Sequence, residues 1–562
     1  MSRNRWKLLP PAPAQHLTGL AGFPPLIAQL LYNRGLTEPS RIELFLHADD
    51  RLSSDPFLLP DIHQAVSRIY RALLSGEKIA IYGDFDADGI TGTAVLVKGL
   101  SALGATVMPY IPNRITEGHG IRTEALKNLR GQGISLIITV DCGITDVAEL
   151  EQARKMGIDV VLTDHHTPPD ILPSAIALVN PKLPGSKYPF AELAGVGVAY
   201  KLIQAIFDNV GRNNQCRELL DLVMLGTIAD MSPLLGENRY LVKCGLDLIN
   251  SSPRPGVKEL ISQAGLSPGS ISEGNVSWAL APRLNAAGRL NDATVGYRLL
   301  MTDSLTEAQQ MASSLEQTNA ERQRLTASVL ARAREQVLAA GITPLLMVGD
   351  KDYPIGIAGL VASRLSEEFY RPSIVVETGD EISNGSCRSI PEFDVIAALN
   401  HCRDLLTRFG GHARAAGFTT LTGNLPHIKE RISLMASTQL QGVDLRPYIT
   451  VDAEVRLHHL GGDSFQIMQQ LAPFGQGNPV PSFFSRGVDV IDCRTMGNGA
   501  EHLKLRLKQG GTVWDAVAFR QGDCLSDVSS SLDIVYNLES DNWRGVERLR
   551  LNLLDFHPAG QK

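Results

Sequence analysis

The sequence predicts an α/β protein built from three folded parts: a mostly parallel sheet covered by helices, a second strand–helix block joined to it by a long helix, and a small C-terminal β-barrel. From residue 78 onward, short apolar runs rich in β-branched residues alternate with helical patterns. A long polar helical pattern then precedes a second block of the same kind. The final part holds short alternating runs separated by Gly, Asn and Asp, which is typical of a barrel.

Length and composition narrow the class of protein. The chain has 562 residues, of which 44% are hydrophobic and 20% are charged, so several domains with ordinary cores are expected. A formal net charge of −7 argues against a non-specific polycation-type nucleic-acid binder, although a local basic groove remains compatible with it. The seven cysteines form no CxxC pair, which favours a reducing compartment over a disulfide scaffold or zinc ribbon. Without an apolar leader or a membrane-length apolar run, we expect a cytoplasmic protein.

The elements divide the chain into five predicted segments. Residues 1–75 are Pro-rich and then helical, and we expect them to pack as a lead-in on the next segment of the chain. Residues 76–235 hold the strands KIAIYG, VMPYIP, LIITVD, DVVLTD and AIALVN, with helices between several of them. Residues 236–340 are predicted to be helical and to end in the long polar helix, which we interpret as a solvated connector. Residues 341–440 form the second block and residues 441–562 the barrel.

Acidic and His residues stand at the ends of several predicted strands and of one helix. They are Asp84, Asp86 and Asp88 after KIAIYG, Asp141 after LIITV, Asp164, His165 and His166 after DVVLT, and Asp230 after the helical run LVMLGTIA. Ligands of open α/β sheets sit outside the carboxyl ends of the strands, so we expect these side chains to converge. Crowded carboxylates repel one another unless cations lie between them. The sequence therefore predicts a site for divalent metal ions.

The donor set also indicates which ions and which reaction. Aspartate and imidazole together suit Mn²⁺ or Mg²⁺, and the imidazole favours Mn²⁺. Two such ions about 4 Å apart would orient a water and stabilise both oxygens of an in-line phosphoryl displacement. Each motif alone has a simpler interpretation, since DFDADG is equally compatible with a turn or an N-cap. An EF-hand is a poor fit because Val95 stands where the loop beginning at Asp84 needs Glu.

Together these motifs resemble the DHH phosphoesterase superfamily. The set is DFDADG, VDCG, DHH and TIADM. Six further motifs narrow the resemblance to RecJ-type single-strand exonucleases over about residues 75–562: IPNRITEGHGI, APRLNAAGR, IGIAGLVASRL, GSCRSIP, FGGHARAAGF and LAPFGQGNPVP. The resemblance implies a DHH catalytic core, the accessory domain that follows DHH, and a C-terminal oligonucleotide-binding (OB) barrel. It also implies an exonuclease that degrades single-stranded DNA from the 5′ end to mononucleotides in DNA repair and recombination.

The resemblance assigns roles to the acidic cluster. The residues expected to hold two divalent ions are Asp86, Asp88, Asp141, His165 and Asp230. Asp141 and Asp88 are the expected bridging ligands. His166 is expected beside the scissile phosphate, as an electrostatic stabiliser or a proton donor. Asp164 is expected to orient a His ring, and Asp84 is either a further ligand or a support for one.

Two positions depart from the family pattern. Some superfamily members carry a metal-binding His where this chain has Tyr82, which predicts weaker binding of the first ion. Many relatives carry Trp-His before the GIxASRL helix, whereas this chain reads DKDYPI. Tyr353 is the candidate to stack on a base there instead.

Other residues are candidates for holding the strand. An isolated Arg is usually a solvated surface residue, and GGHARAAG alone is a tight glycine turn. The resemblance favours convergence at one cleft, where guanidinium forks match phosphate oxygens. The candidates are Arg114, Arg283, Asn285, Arg289, Ser386, Arg388 and His412. Among them, Arg114, Ser386 and Arg388 are expected to form a pocket for the 5′-terminal phosphate, one nucleotide beyond the metals.

The barrel gives weaker signals of DNA binding. Residues 465–562 carry ten basic and eleven acidic residues, so charge does not support strong binding there. Six aromatic residues are candidates to stack on bases, with about half of them expected in the core instead: Phe483, Phe484, Trp514, Phe519, Tyr536 and Trp543.

Two other functions fit part of the pattern. A DHH-family phosphoesterase acting on short oligonucleotides or small phosphodiesters would need neither the long helix nor the barrel. A catalytically inactive, single-strand-threading replication factor would need broken metal motifs, and all five expected ligands are present. For the exonuclease, we expect a monomer that binds single-stranded DNA, with a single-strand-binding protein and a helicase as candidate partners and no membrane association.

Overall fold

The computed structural model describes residues 4–20, 22–461, 463–497, 499–543 and 546–560, with the backbone alone at 541–543, 546 and 547. It divides into two compact units, one formed by Asp50–Leu445 and the other by Met1–Asp49 together with Arg446–Lys562. Among the described residues, no helix is long and apolar enough to cross a membrane.

The chain begins with a strand and three helices that belong to the smaller unit. They are β1 (Arg5–Leu8), α1 (Ala14–Gly19), α2 (Pro25–Asn33) and α3 (Pro39–His47). Both α2 and α3 start with Pro at the first helical position, where a missing N–H costs nothing.

A five-stranded parallel sheet in the order β3-β2-β4-β5-β6 opens the larger unit, as predicted. Its elements are α4 (Ile62–Ser75), β2 (Lys78–Gly83), α5 (Ala87–Ser101), β3 (Thr106–Tyr110), α6 (Thr123–Gly131), β4 (Leu136–Val140), α7 (Val147–Lys155), β5 (Asp159–Thr163), β6 (Ala177–Val179) and α8 (Gly195–Asp208). Alternate residues of a strand face opposite sides. Accordingly, Ile79 and Ile81 join a core with α5 and α8, whereas Ala80 and Tyr82 join a core with α6 and α7. Helices therefore cover both faces of the sheet.

A helical region follows and ends in the predicted long helix. Its elements are α9 (Asn213–Cys216), α10 (Leu220–Ala229), α11 (Gly236–Ser251), α12 (Pro255–Gln263), α13 (Glu273–Asn275), α14 (Ala281–Leu290), α15 (Thr294–Met301) and α16 (Leu305–Ala340). The long helix α16 buries one stripe along its length, from Ala308 and Leu315 to Val337. It packs against α12, α14 and α15 near its start and against α17 (Ile355–Phe369) further along. Only its outer face matches the solvated connector that the sequence predicts.

A mixed sheet in the order β10-β11-β9-β8-β7 completes the larger unit. Its elements, besides α17, are β7 (Leu346–Asp350), β8 (Ser373–Glu377), β9 (Ile382–Arg388), α18 (Val395–Asn400), β10 (Leu406–His412), β11 (Ala415–Leu421) and α19 (Leu425–Gln439). Strands β7 and β8 are parallel, and the other pairs are antiparallel. Strand β9 lies at the centre of this sheet, so its alternate side chains are fixed on opposite faces.

The C-terminal part forms the predicted barrel. Its elements are β12 (Tyr448–Val451), β13 (Ala453–Glu454), α20 (Ser464–Gln469), β14 (Ser482–Met496), β15 (His502–Gln509), β16 (Thr512–Ala518), β17 (Ser531–Trp543) and β18 (Val546–Pro558). The order β14-β15-β16-β18-β17 closes through pairing of β14 with β17.

The aromatic residues of the barrel divide between core and surface. Phe483 and Tyr536 are fully buried, so they fill the core and do not bind bases. Phe519 is 41% exposed, whereas Phe484 and Trp514 are half-buried. The side chain of Trp543 lies outside the described residues. Of the described candidates, Phe519 is thus the most accessible for stacking.

The prediction that the first 75 residues pack on the segment that follows them is wrong for residues up to 49. Strand β1 pairs in parallel with β12, from Arg5 with Tyr448 to Leu8 with Val451. Buried side chains of α2 and α3 belong to the same hydrophobic core as the barrel. Pairing between segments more than 400 residues apart leaves no trace in local periodicity, which is why the sequence pattern did not indicate it.

Arg34 joins the N-terminal helices to the barrel, and its loss is expected to destabilise the smaller unit. Its Nε donates to Asn478 Oδ1 at 2.8 Å and its Nη2 to the Pro479 carbonyl at 2.8 Å, and Asp452 lies 3.8 Å away. Removing one partner of a buried pair costs about 3–5 kcal/mol, so Arg34→Met should lower the free energy of unfolding of this unit by that amount. Urea unfolding followed by tryptophan fluorescence measures it, since three of the four tryptophans lie in this unit.

The matched control is Arg41→Met on the next helix. Arg41 is 69% exposed and pairs with Glu38 on the same helix turn, so its removal should cost less than about 0.5 kcal/mol. Equal effects of the two substitutions would show that the contacts of Arg34 do not hold the unit together.

Candidate active site

Acidic and imidazole groups from three strand ends and one helix end converge at the carboxyl edge of the parallel sheet. Their ligand atoms form three overlapping groups in which all atoms lie within 4.8 Å of one another. The groups are Asp84, Asp86 and Asp141; Asp88, His165 and Asp230; and Asp141, His165 and His166. The structure thus brings together seven of the eight acidic and His residues that the sequence singles out, and the eighth, Asp164, hydrogen-bonds to His166.

The DFDADG segment is shaped by its own side chains. Asp86 caps α5, because its Oδ1 accepts from the backbone N–H groups of Asp88 and Gly89 at 2.9 and 3.1 Å. A Cβ on Gly89 would lie 2.4 Å from the Asp84 carbonyl oxygen, so only glycine allows the helix to start this close to the strand end. The turn therefore presents all three carboxylates of the segment at one place.

Asp88 links this segment to α8. Its two carboxylate oxygens accept from the backbone N–H groups of Gly195 and Val196 at 2.7 and 2.8 Å, at the positive end of the helix. A Cβ on Gly195 would lie 2.6 Å from the Asp141 Cβ, so this glycine allows α8 to approach both carboxylates. Gly195 is not among the residues predicted from the sequence, although the AGVG run before an apolar helix is a visible signal.

Three buried atoms of the cluster have no hydrogen-bond partner: Asp84 Oδ1, Asp141 Oδ1 and His165 Nε2. A buried polar group left without a partner costs about 1–3 kcal/mol, so three at one site call for a ligand. His165 Nε2 lies 3.1 Å from Asp141 Oδ1 and 3.8 Å from Asp88 Oδ2, so these atoms are close enough to share one ion. Asp141 also adopts a left-handed backbone conformation, φ 59°, which is uncommon outside glycine. This donor set fits divalent metal ions.

The charges of the cluster lead to the same conclusion. Burial, followed by the charge of Asp84, raises the pKa of Asp86 to about 6. Burial and neighbouring carboxylates hold the pKa values of Asp88 and Asp141 well above the ordinary range. Burial lowers the pKa of His165, which keeps its ring neutral and able to act as a ligand. Cations among these groups would remove the repulsion.

His166 and Asp164 form a tight pair at the rim of the cluster. Asp164 Oδ1 lies 2.7 Å from His166 Nδ1 and also accepts from the backbone N–H groups of His165 and His166. Burial lowers the pKa of His166, but the hydrogen bond and charge of Asp164 outweigh it and raise the value to about 9. The His166 side chain is 58% exposed and therefore accessible to a substrate. Asp164 therefore holds the His166 ring in a fixed orientation, and the roles of the two residues in the reaction stay predictions.

Three of the arginines that the sequence singles out lie within electrostatic reach of one another: Arg114, Arg289 and Arg388. Arg114 and Arg289 also lie within electrostatic reach of Asp86. Arg114 lies 4.9 Å above the Phe85 ring, and Arg289 Nη1 donates to the Gly356 carbonyl at 3.3 Å. Burial, then the charges of Arg114, Arg322 and Arg388, lower the pKa of Arg289 to about 9. None of these guanidinium groups has a carboxylate within 4.0 Å in the described part of the chain. Half-buried guanidinium groups that lie near one another without an ion-pair partner indicate a site for an anion.

Ser386 and Arg388 share a face of β9, as their spacing predicts. A Cβ on Gly359 in α17 would lie 3.3 Å from Ser386 Oγ and 3.0 Å from Arg388 Nη2, so both side chains point at this one glycine. His412 ends β10 at the exposed tip of a hairpin. After burial, the charges of Arg388, Arg414 and His166 lower the pKa of His412, so its ring lies within electrostatic reach of both the arginines and the metal cluster.

Arg283 and Asn285 already have partners within the protein. Arg283 Nε lies 2.5 Å from Glu316 Oε2 and its Nη1 donates to the Ala279 carbonyl at 2.8 Å. Asn285 Oδ1 accepts from the Ala87 N–H at 2.8 Å, which fixes the first residue of α5 beside the carboxylates. Contacts of these two residues with DNA therefore stay a prediction.

His119 lies at the site although it is not among the residues predicted from the sequence, and the structure also differs from the prediction for Tyr353. His119 Nδ1 lies 3.4 Å from Asp84 Oδ2, on a loop that Tyr82 holds by donating from its hydroxyl to the Gly120 carbonyl at 3.2 Å. The quoted motif IPNRITEGHGI contains His119, so a signal existed. The suggestion that Tyr353 stacks on a base is wrong, because its side chain is fully buried.

Comparisons with known proteins bear on both the fold and the site. Three family models match the chain: "DHH family, N-terminal domain" over residues 78–227, "DHHA1 domain" over residues 335–437 and "RecJ OB domain" over residues 451–555. The "Single-stranded-DNA-specific exonuclease RecJ" of Bacillus subtilis (strain 168) is 38% identical over 561 residues, which covers 99% of this chain and 71% of the relative. The protein of the same name from Escherichia coli (strain K12) is 32% identical over 575 residues, 96% of each chain.

Two solved structures are similar over the whole chain. One is RecJ from Thermus thermophilus in complex with Mn²⁺, with a TM-score of 0.86 and 32% identity over 100% of this chain and 80% of that one. The other is the complex with Mg²⁺, with a TM-score of 0.80 and 30% identity over 100% of this chain and 79% of that one. Both neighbours hold divalent ions of the kind that the donor set here fits.

Proposed function

Because this chain belongs to the RecJ family, whose curated relatives are single-stranded-DNA-specific exonucleases, we propose that it hydrolyses single-stranded DNA from the 5′ end to mononucleotides. DNA repair and recombination would be its setting. The observation that carries the proposal is the group of carboxylate and imidazole atoms that lack hydrogen-bond partners at the sheet edge. A catalytically inactive family member would not need to retain so costly a cluster.

The proposed metal ligands are Asp86, Asp88, Asp141, His165 and Asp230, with Asp84 as a further ligand whose free Oδ1 supports this role. Two bound Mn²⁺ or Mg²⁺ ions would supply an activated water and charge neutralisation at the scissile phosphate. Asp88 and Asp141 would be the bridging pair. Asp141 and His165 each belong to two of the three ligand groups, and Asp141 is the carboxylate of this pair, which supports its bridging role. Asp88 belongs to one group, so its bridging role rests on the family resemblance.

Side chains at the rim of the metal cluster would contact the phosphates of the strand. His166, kept charged by Asp164, would hydrogen-bond to an oxygen of the scissile phosphate as negative charge develops there. Its exposure and its distance of 3.8 Å from Asp141 Oδ1 support this position. His412 would contact the same phosphate from the accessory domain. Arg289 would bind an adjacent phosphate, since its guanidinium lacks a carboxylate partner.

Polarity needs a group that recognises the 5′ end. Arg114, Ser386 and Arg388 would form a pocket for the terminal phosphate, which blocks the strand one nucleotide beyond the metals. The shared face of Ser386 and Arg388, and the proximity of Arg114 to Asp84 and Asp86, support this arrangement. A 5′ phosphate carries more negative charge than an internal one, so a cationic pocket selects it.

Arg388→Ala is expected to raise KM for 5′-phosphorylated strands by about ten- to a hundredfold, because a charge-assisted hydrogen bond contributes about 1.5–3 kcal/mol. Strands with a 5′ hydroxyl already lack this contact, so their KM should change much less. Steady-state kinetics on the two substrates measures the difference. A loss that is equal for both would make Arg388 a general backbone contact.

The experiment that tests the proposed function is digestion of one oligonucleotide labelled at its 5′ or its 3′ end, as single strand and as duplex, with Mn²⁺, Mg²⁺ or a chelator. We expect immediate release of a 5′-labelled mononucleotide from the single strand alone, and none with the chelator. Release of the 3′ label first would reverse the proposed polarity. Activity confined to dinucleotides would favour the second candidate, a phosphoesterase for short substrates.

We also propose the wider setting. The five segments bounded at 75, 235, 340 and 440 would be a lead-in, the DHH catalytic domain, a helical region, the accessory domain and the OB-type DNA-binding domain. The protein would act as a monomer in the cytoplasm. A single-strand-binding protein and a helicase would supply or hold its substrate strand.

A further inference from the structure

The long helix α16 carries a cation that none of the assigned roles uses. Arg322 lies in the middle of this helix and is half-buried. Its Nη2 donates to Asn319 Oδ1 at 2.9 Å, and its Nε is buried without a hydrogen-bond partner. Asn319 itself is 1% exposed, so it acts as a fixed support for the guanidinium. No carboxylate in the described part of the chain pairs with Arg322.

The neighbours of Arg322 are also cations. Burial, then the charges of Arg364 and Arg283, lower its pKa. These two neighbours are compensated, since Arg283 pairs with Glu316 at 2.5 Å and Arg364 with Glu367 at 3.1 Å. Arg322 is therefore the guanidinium of this group that lacks a counter-ion.

Arg322 also lies close to the proposed DNA-binding arginines. Its charge acts on Arg289, together with those of Arg114 and Arg388. The carboxylates Asp84 and Asp86 act on Arg114 but are not among the groups that act on Arg322. Arg289 therefore lies within electrostatic reach of both Arg114 and Arg322, and no carboxylate is among the groups that act on Arg322.

We propose that Arg322 is the centre of a second phosphate-binding subsite, separate from the end-recognition pocket and flanked by Arg283 and Arg364. This inference rests on the proposed nuclease function. A partly buried guanidinium without a carboxylate is costly to keep, and a planar fork with free N–H groups matches phosphate oxygens. The ligand is a nucleic-acid phosphate group. It comes either from the backbone of the bound strand or from the released nucleoside monophosphate.

The test compares Arg322→Met with Arg324→Met in the full-length protein. Arg324 lies two residues further along the same helix, but it is 71% exposed and pairs with Glu321, so it is a matched control. The measured quantities are KM for single strands of two to twelve nucleotides, its salt dependence, and the inhibition constant of 5′-dAMP.

If the strand supplies the phosphate, Arg322→Met should raise KM by about ten- to a hundredfold for strands long enough to reach the subsite and leave dinucleotides unchanged. The slope of log KM against log salt concentration should then fall by about 1. If the product supplies the phosphate, KM should stay constant and the inhibition constant of 5′-dAMP should rise by a similar factor. Either result supports the subsite and identifies its ligand.

Two outcomes would overturn the proposal. One is that Arg322→Met matches Arg324→Met in KM at every length and in 5′-dAMP inhibition. The other concerns Arg322→Lys, which keeps the positive charge and the aliphatic part of the side chain. This variant replaces Arg322→Met in the test if the Met variant does not fold. Loss of the fork should still raise KM or the inhibition constant by about three- to tenfold, so wild-type values would exclude the subsite. Failure of the wild-type protein to degrade single strands would instead count against the proposed function.

Discussion

Asp141→Ala is expected to lower the rate of DNA hydrolysis by at least about 10³-fold at saturating Mn²⁺, with the fold intact. Asp141 contributes to two of the three ligand groups, so its loss should disturb both ion positions. Asp230 contributes to one group, so Asp230→Ala should lower the rate of hydrolysis by a smaller factor than Asp141→Ala. Single-turnover digestion of a labelled strand measures both rates. Equal losses in the two variants would contradict the bridging role.

A second measurement on the same variant does not depend on catalysis. Burial and the charges of Asp88, Asp86 and Asp84 hold the pKa of Asp141 well above its ordinary range, so its ionised form destabilises the metal-free protein. Asp141→Asn keeps the shape of the side chain and should raise the melting temperature of the metal-free protein at neutral pH. The increase in melting temperature that Mn²⁺ gives the wild-type protein should shrink in this variant. If the metal-free Asp141→Asn variant had a lower melting temperature than the metal-free wild-type protein, repulsion between carboxylates would not dominate the stability of this site.

His166→Ala is expected to lower kcat by about 10²–10³-fold while leaving Mn²⁺ affinity nearly unchanged. The reason is the position of the ring, which is exposed and held by Asp164 at 2.7 Å at the rim of the metal cluster. A donor that stabilises developing charge acts in the transition state, so the loss should appear in kcat rather than in metal binding.

The adjacent histidine provides the control. His165 Nε2 is buried without a partner and points at the carboxylates, so His165→Ala should weaken Mn²⁺ binding. Calorimetric titration of both variants with Mn²⁺ separates the two roles. Asp164→Asn removes the charge that orients His166, and it should lower kcat by a smaller factor than His166→Ala. Equal losses of Mn²⁺ affinity in the His165 and His166 variants would contradict the assignment of metal binding to His165 and charge stabilisation to His166.

The sequence was sufficient for the sheet and for the convergence of its acidic residues. Apolar runs rich in β-branched residues indicated β2, β4 and β5, and parallel strands place their carboxyl ends at one edge. Asp141 and His165 therefore meet for a topological reason that strand order alone provides. The motifs added the individual roles, which stay predictions, although the predicted neighbours Asp164 and His166 do form a hydrogen bond.

Side-chain contacts across the fold were beyond a pattern-based analysis. Asn285 carries a family motif, yet its carbonyl oxygen fixes Ala87 at the start of α5, a contact between residues far apart in the chain. Tyr353 looked available for stacking, but the packing of helix α17 buries it. Arg322 lies in a polar helical pattern in which all charges look solvated, and only the packing of α16 against its neighbours distinguishes it from Arg324.

The smaller unit is assembled from the two ends of the chain, and this fixes the order of events during translation. The helices of the first 49 residues leave the ribosome about 400 residues before the barrel that completes their core. At 5–20 residues per second, this interval lasts roughly 20–80 s. Ile27, Leu30 and Leu31, which are buried in the finished unit, have no barrel to pack against during that time. The nascent chain therefore carries an apolar helical segment that must be kept from aggregating until the barrel has been synthesised.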